Sequence, residues 1–167
     1  MSYHREAQYM ANMIEIVKAD PAKKEDYKRI FENSPLYNHY FKKGDLLDRV
    51  LADSLKAGRA YVAVDRKGEA VGYMSMSTSD SSVDGLPCLT LLGVKDTMRG
   101  KGIGQMLLKF YIEVMTQLGF KECALVVNDW NPRARKLYDS IGFKLRRSYE
   151  DQIIGVWMNH ILVKKLL

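Results

Sequence analysis

Apolar positions recur along the chain with two periods, and the switches between them predict the order of elements. Over residues 12–19, Met13, Glu15 and Val17 alternate with Ile14, Ile16 and Lys18, which is the period of a strand. Pro21 opens a charged stretch to about residue 33 whose stripe of Tyr27, Ile30 and Phe31 has helical spacing, and Ser34 and Pro35 stop it. Beyond an aromatic cluster of Tyr37, Tyr40 and Phe41, a second helix is predicted over residues 45–57 on Leu46, Leu47, Val50, Leu51 and Leu55, with Gly58 closing it. Residues 61–64 and 70–77 read as strands joined by a hairpin turn at Asp65-Arg66-Lys67-Gly68, and residues 80–85 as a polar loop. Residues 87–94 (PCLTLLGV) are too apolar for a solvent-facing strand, so they belong at the centre of a sheet, and Gly93 marks a bulge or a close backbone approach. Ile103, Met106, Leu107, Phe110, Val114, Met115 and Leu118 then repeat at helical spacing over residues 102–118. A buried strand over 122–127, a short helix over 131–141 closed by Gly142, and strands over 143–149 and 155–164 complete the chain. The strand-helix-strand unit within residues 87–127 should be a parallel crossover.

Composition adds bounds. With 167 residues, 47% hydrophobic and 28% charged, the chain has the profile of one ordinary globular domain over 1–167, and collagen-like, coiled-coil and disordered classes drop out. No apolar run is long enough for a membrane span and the first residues lack the core of a signal peptide, so a cytoplasmic location without membrane association is expected. Cys88 and Cys123 lie in apolar stretches and are expected to be buried free thiols; neither has a histidine at a recognisable spacing. His4, His39 and His160 are scattered in no metal-ligand pattern, so no metal is expected.

The net charge of +6 is unevenly spread. Residues 95–109 carry Lys95, Arg99, Lys101 and Lys109 against Asp96, and residues 131–147 carry Arg133, Arg135, Lys136, Lys144, Arg146 and Arg147 against Asp139, while the rest of the chain is slightly acidic. Such a local surplus suits a compact polyanion better than a nucleic acid, and no nucleic-acid partner is expected.

Chemistry concentrates in two segments. Arg99-Gly100-Lys101-Gly102-Ile103-Gly104 joins a buried strand to an amphipathic helix, where glycines let successive N–H groups turn inward above the positive end of the helix dipole, a phosphate-binding arrangement. The glycine spacing excludes a dinucleotide fingerprint, and no Gly-Lys-Ser or Gly-Lys-Thr is present for a Walker loop. In the second segment, Asn131 before Pro132 reads as a helix N-cap, and Asn131, Ala134 and Tyr138 share one face, where the small Ala134 allows close approach and Tyr138 presents a hydroxyl.

In this order and placement the two segments resemble the GNAT N-acetyltransferase superfamily: Arg99-x-x-Gly102-x-Gly104 is similar to its pyrophosphate signature, and Asn131-x-x-Ala134-x-x-x-Tyr138-x-x-x-Gly142-Phe143 to its second cofactor motif. The resemblance implies a mixed α/β fold with a central twisted sheet of about six to seven strands flanked by about four helices. It implies acetyl-CoA as donor, with CoA as product. The pyrophosphate would be held by the amides of residues 99–104, the pantetheine arm would pair with Leu92, Gly93 and Val94, Asn131 would hydrogen-bond that arm, and Tyr138 would stand by the sulfur. The Leu92 amide would stabilise the oxyanion and Tyr138 would protonate the leaving thiolate.

The implied reaction is direct acetyl transfer to a primary amine, of a small molecule in the first instance and alternatively of a protein N-terminus or lysine. A rival is a noncatalytic CoA-binding or interaction domain on the same scaffold. A homodimer is compatible with either. Tyr37, Tyr40 and Phe41 are acceptor-pocket candidates, with core packing as the alternative. Many relatives carry a glutamate on the central strand as base, but this strand has none; Asp84, Asp129 or a water chain stand in for it.

Overall fold

The structure is a computed structural model, and it describes residues 13–34, 37–42, 44–151 and 157–166. In chain order the described elements are β1 (Glu15–Lys18), a 3-10 turn (Pro21–Lys23) leading into α1 (Lys24–Ile30), a π-helical turn (Tyr37–Phe41), α2 (Leu46–Lys56), β2 (Ala60–Val64), β3 (Ala70–Ser77), β4 (Cys88–Val94), α3 (Ile103–Gln117), β5 (Glu122–Asn128), α4 (Pro132–Ser140), β6 (Lys144–Glu150) and β7 (Met158–Lys165). The strands form a seven-stranded open sheet in the order β1-β2-β3-β4-β5-β7-β6, so the most apolar strand, β4, takes the middle place. β4 and β5 run parallel in the register Cys88–Ala124 and Leu89–Leu125, while β1/β2, β2/β3, β5/β7 and β6/β7 are antiparallel.

Three departures from the sequence pattern have local causes. The helix expected from Pro21 is α-helical only from Lys24 to Ile30: Asp20 accepts from the Ala22 amide, and the Lys23 amide reaches the Asp20 carbonyl at 3.0 Å, tightening the entry into a 3-10 turn, while Asn33 ends the segment at φ +60. The aromatic cluster is wound into the π turn, whose Lys42 amide donates to the Tyr37 carbonyl at 2.8 Å, a spacing that no apolar periodicity announces. The polar loop at 80–85 contains a turn, Ser81–Val83, capped by the Asp80 side chain, and its Val83 is buried as an anchor. The last strand, expected from residue 155, is described from Met158; residues 152–156 lie outside the described part.

Two compact units gather the contacts, Met1–Ser75 with Leu91–Lys109, and Met76–Thr90 with Phe110–Leu167. In the first, Tyr27, Ile30 and Phe31 of α1 and Leu47, Leu51 and Leu55 of α2 pack on Val62, Tyr73 and Leu91. A Cβ at Gly72 would stand 2.9 Å from Leu107 and 3.0 Å from Ile103, which is how closely the first turns of α3 approach β3. In the second, Val83, Cys88, Ala124, Ile161 and Val163 form the core, and the buried Tyr111 hydroxyl donates to the Ala124 carbonyl at 2.9 Å. Cys88 and Cys123 are free and buried, and burial pushes their thiols up to about 12 and about 11, so neither is thiolate at neutral pH. No described helix is long and apolar enough to cross a membrane.

Candidate functional site

The first unit carries the segment from the end of β4 to the start of α3. Leu92, Gly93 and Val94 are half-buried there. Gly93 is a close approach: a Cβ on it would stand 2.3 Å from the Phe31 ring of α1's exit. Gly100 and Gly102 have φ of +76° and +86°, the left-handed region that turns consecutive amides to one side, and a Cβ at Gly102 would meet nothing within 4 Å. The first α3 bond is from the Met106 amide to the Gly102 carbonyl, so the amides of Ile103, Gly104 and Gln105 precede the helical ladder and lie at the positive end of its dipole.

Arg99 serves this loop structurally as well as by charge. Its Nε donates to the Val94 carbonyl at 3.3 Å and its Nη1 to the Asn33 carbonyl at 3.3 Å and the Asp96 carboxylate at 2.8 Å, tying strand end, loop and helix exit together. Its Nη2 is buried without a hydrogen-bonding partner among the described residues. A buried unsatisfied guanidinium nitrogen is costly, and an anion on the loop would satisfy it. With the open space over Gly102, the residues present therefore fit a phosphate group. Lys101 is exposed beside them.

The second unit carries the other segment. Asn131 caps α4, its Oδ1 accepting from the Ala134 amide at 3.3 Å, which leaves the Nδ2 donors for a second partner. Ala134 is half-buried one turn on, and Tyr138 is buried with its ring 6.3 Å from that of Phe143. Burial, then the nearby Cys88 thiol, pushes the Tyr138 hydroxyl up to about 12, so it is a protonated donor throughout the neutral range.

The basic surplus is smaller in effect than its count. Arg135 pairs with Asp139 at 3.1 Å, Arg146 with Glu122 at 2.6 Å and Arg147 with Asp84 at 3.1 Å, so three of the cations in 131–147 are already matched by carboxylates. Spacing in sequence cannot reveal two of these pairs, because they join distant segments.

Of the acceptor candidates, Phe41 is buried in the first core, edge-on to Phe31 at 6.4 Å, and Tyr37 packs partly buried against the same cluster; the Tyr40 side chain lies outside the described part. Of the two candidate bases, Asp84 faces Arg147, and Asp129 accepts from the Met158 amide at 3.2 Å and bonds His160 Nε2, which holds its carboxyl below the usual range. His160 Nδ1 meets Ser148 Oγ at 2.7 Å. The sequence pattern missed a second cluster entirely: Trp130 and Trp157 stack edge to face at 6.0 Å, and Asp151 accepts from Trp157 Nε1 and Asn159 Nδ2. Those residues meet only through the register of β5, β7 and β6, which spacing along the chain does not carry.

Comparison with known proteins bears on the family and the fold. The family model for the acetyltransferase (GNAT) family matches residues 21–143. A mycothiol acetyltransferase of Propionibacterium freudenreichii subsp. shermanii is 32% identical over 103 residues, 60% of this chain and 32% of its own length. A thialysine N-epsilon-acetyltransferase of Bos taurus is 43% identical over 49 residues, 29% of each. The chain thus spans about a third of the length of these curated relatives. Among solved structures, the NatC complex bound to Gag peptide and CoA contains a chain with a TM-score of 0.73 at 20% identity, covering 93% of this chain and 99% of that one. The family model covers residues 21–143, most of the length, over a seven-stranded mixed α/β sheet with four helices, and the chain belongs to the GNAT acetyltransferase family.

Proposed function

We propose that this protein transfers the acetyl group of acetyl-CoA to the primary amine of a small molecule. The observation that carries the proposal is the head of α3, where left-handed glycines, ladder-free amides and the unsatisfied Nη2 of Arg99 are assembled for an anion. The amides of residues 100–104 and Arg99 hold the pyrophosphate, and Lys101 adds screened surface charge. On the first unit, Leu92, Gly93 and Val94 offer their strand edge to the pantetheine arm; on the second, Asn131 Nδ2 keeps donors for an amide-bearing ligand.

Acetyl-CoA supplies a thioester carbon that an amine attacks directly. The role we assign to the Leu92 amide is to donate to the oxygen where negative charge develops; the role we assign to the Tyr138 hydroxyl of the second unit, held protonated by burial, is that of a donor to a thiolate. The amine must be neutral to attack, and the proton it sheds needs a path. Asp84, paired with Arg147, Asp129, made less basic by His160, or a water chain takes that proton.

A noncatalytic CoA-binding domain is the rival reading, and a single assay separates the two. Thiol release from acetyl-CoA across a panel of primary amines should be amine-dependent, and Gly104→Val, which puts a branched side chain among the first α3 amides at a position of ordinary φ, should abolish calorimetric binding of acetyl-CoA in a folded protein. Unchanged affinity in that variant rejects the donor site. Binding without amine-dependent thiol release supports the noncatalytic domain.

A further inference from the structure

Strand register in the second unit sets three polar side chains in a row. His160 of β7 stands directly opposite both Ser148 of β6 and Val127 of β5. Positions two apart on a strand share a face, so Asp129, two places beyond Val127, lies diagonally across from His160 on that face. The ladder runs on that far, since the Asp129 amide donates to the Met158 carbonyl at 3.2 Å. The side chains then bond in sequence: His160 Nδ1 meets Ser148 Oγ at 2.7 Å, and His160 Nε2 meets Asp129 Oδ1. The second Asp129 oxygen accepts from the Met158 amide at 3.2 Å, which holds the carboxylate in place.

The carboxylate decides which way the protons point. A neutral imidazole carries one ring hydrogen, and Asp129 takes it at Nε2, so Nδ1 presents its lone pair and the Ser148 hydroxyl donates to it. A serine hydroxyl is a weak nucleophile until a base removes its proton as it attacks. The imidazolium formed in that event would stand against Asp129, whose carboxyl the bond to His160 already holds below the usual range. Access is open, because Ser148 is exposed and the His160 and Asp129 side chains are 19% and 51% exposed. β6 also ends the sheet order, so alternate amides along its outer side meet no further strand among the described residues. Such amides are donors at hand for an oxyanion formed at Ser148.

We propose that Ser148, His160 and Asp129 form a second reactive centre, in which Ser148 is the nucleophile and the substrates are acyl esters with an acyl group of about acetate size. An exposed strand position admits a small acyl group without a shaped cavity. Ser148 Oγ bonds to the ester carbonyl carbon while its proton passes to His160 Nδ1. The bond from that carbon to the alcohol oxygen then breaks, and the alcohol leaves with the proton. Water attacks the acyl-serine, giving a proton to His160, which returns it to Ser148 Oγ as the carboxylic acid departs. Asp129 touches no substrate; it is a positioning residue that keeps Nδ1 facing the serine. Neither acetyl-CoA nor an amine takes part, so this centre goes beyond the acetyl transfer proposed above and does not rest on it.

The test treats the full chain with p-nitrophenyl acetate and, separately, with a fluorophosphonate probe, and locates the modified residue by mass spectrometry. Ser148 should carry the phosphonyl group in the folded protein and not after denaturation in urea, and nitrophenolate release should continue past one equivalent. His160→Gln should slow the labelling of Ser148 by about 100-fold or more, the scale of general-base assistance. Asp129→Asn should slow it by about tenfold or more, whereas Asp129→Glu keeps a carboxylate and should recover most of the rate. Ser148→Ala should leave the calorimetric affinity for acetyl-CoA as in the wild type, so the two centres are read separately. An unlabelled Ser148 in the folded wild type, equal labelling in His160→Gln, or release that stops at one equivalent overturns the proposal. Where the Gln variant does not fold, the two Asp129 variants decide, and equal rates in them overturn it.

Discussion

Tyr138 shows how burial alters a role that the family resemblance implies. A phenol with a reference pKa of about 10 is close to a thiol at about 8.5, but burial raises this one to about 12, so full proton transfer to the sulfur is less favourable than for a solvated tyrosine. The sign follows: the hydroxyl stays a donor until the pH approaches about 12, so Tyr138 contributes no alkaline loss of turnover near pH ~10, where a solvated tyrosine would. Tyr138→Phe retains the ring and its packing on Phe143 and should keep acetyl-CoA affinity while lowering turnover by about 10- to 1000-fold. Stopped-flow measurement of the chemical step checks this, and wild-type turnover in the variant would make the residue a packing element only. Asn131, Ala134 and Tyr138 were legible in the sequence because one helix presents positions three and four apart on one face. Asp151, Trp130 and Trp157 were not, since they come from three separate chain segments.

Among elements, β4 is the most readable, because an apolar run broken by one threonine, Thr90, belongs in the middle of a sheet. The sequence marks the glycine near its end as a bulge or a close backbone approach, and the neighbour that stands over it is Phe31, across more than sixty residues of chain. The contact has an energetic consequence. Gly93→Ala places a Cβ where the ring stands at 2.3 Å and should destabilise the fold by about 1–3 kcal/mol through overpacking. Phe31→Leu in the same chain frees that space, so the double variant should be more stable than the sum of the single losses predicts, measured by urea denaturation. Additive losses would show that the backbone, not the ring, sets the cost. The π turn at Tyr37–Phe41 illustrates the opposite case: its wide winding answers to the burial of Phe41 and leaves no periodic trace in the sequence.

For the whole molecule, the count of strands and helices and the parallel crossover could be derived from alternating periods, since each period constrains one element and chain order constrains the rest. Net charge was the weaker guide, because Arg146 and Arg147 are matched by carboxylates, Glu122 and Asp84, that only the folded chain brings to them. How the contacts divide was not legible at all. Neither compact unit is a continuous stretch: one needs Leu91–Lys109 in addition to everything before residue 76, and the other needs Met76–Thr90 together with the chain from Phe110 onward. Synthesis therefore sets a schedule. As the chain leaves the ribosome, α1, α2 and the first three strands must wait for the end of β4 and the head of α3 before their set is complete, and the remainder waits for β7. Nascent chains stalled before Leu91 has emerged should remain protease-sensitive over residues 13–75, and those stalled once Lys109 is clear of the exit should become resistant there, so the loop built to meet a phosphate is shaped while α4 is still hidden in the ribosomal tunnel.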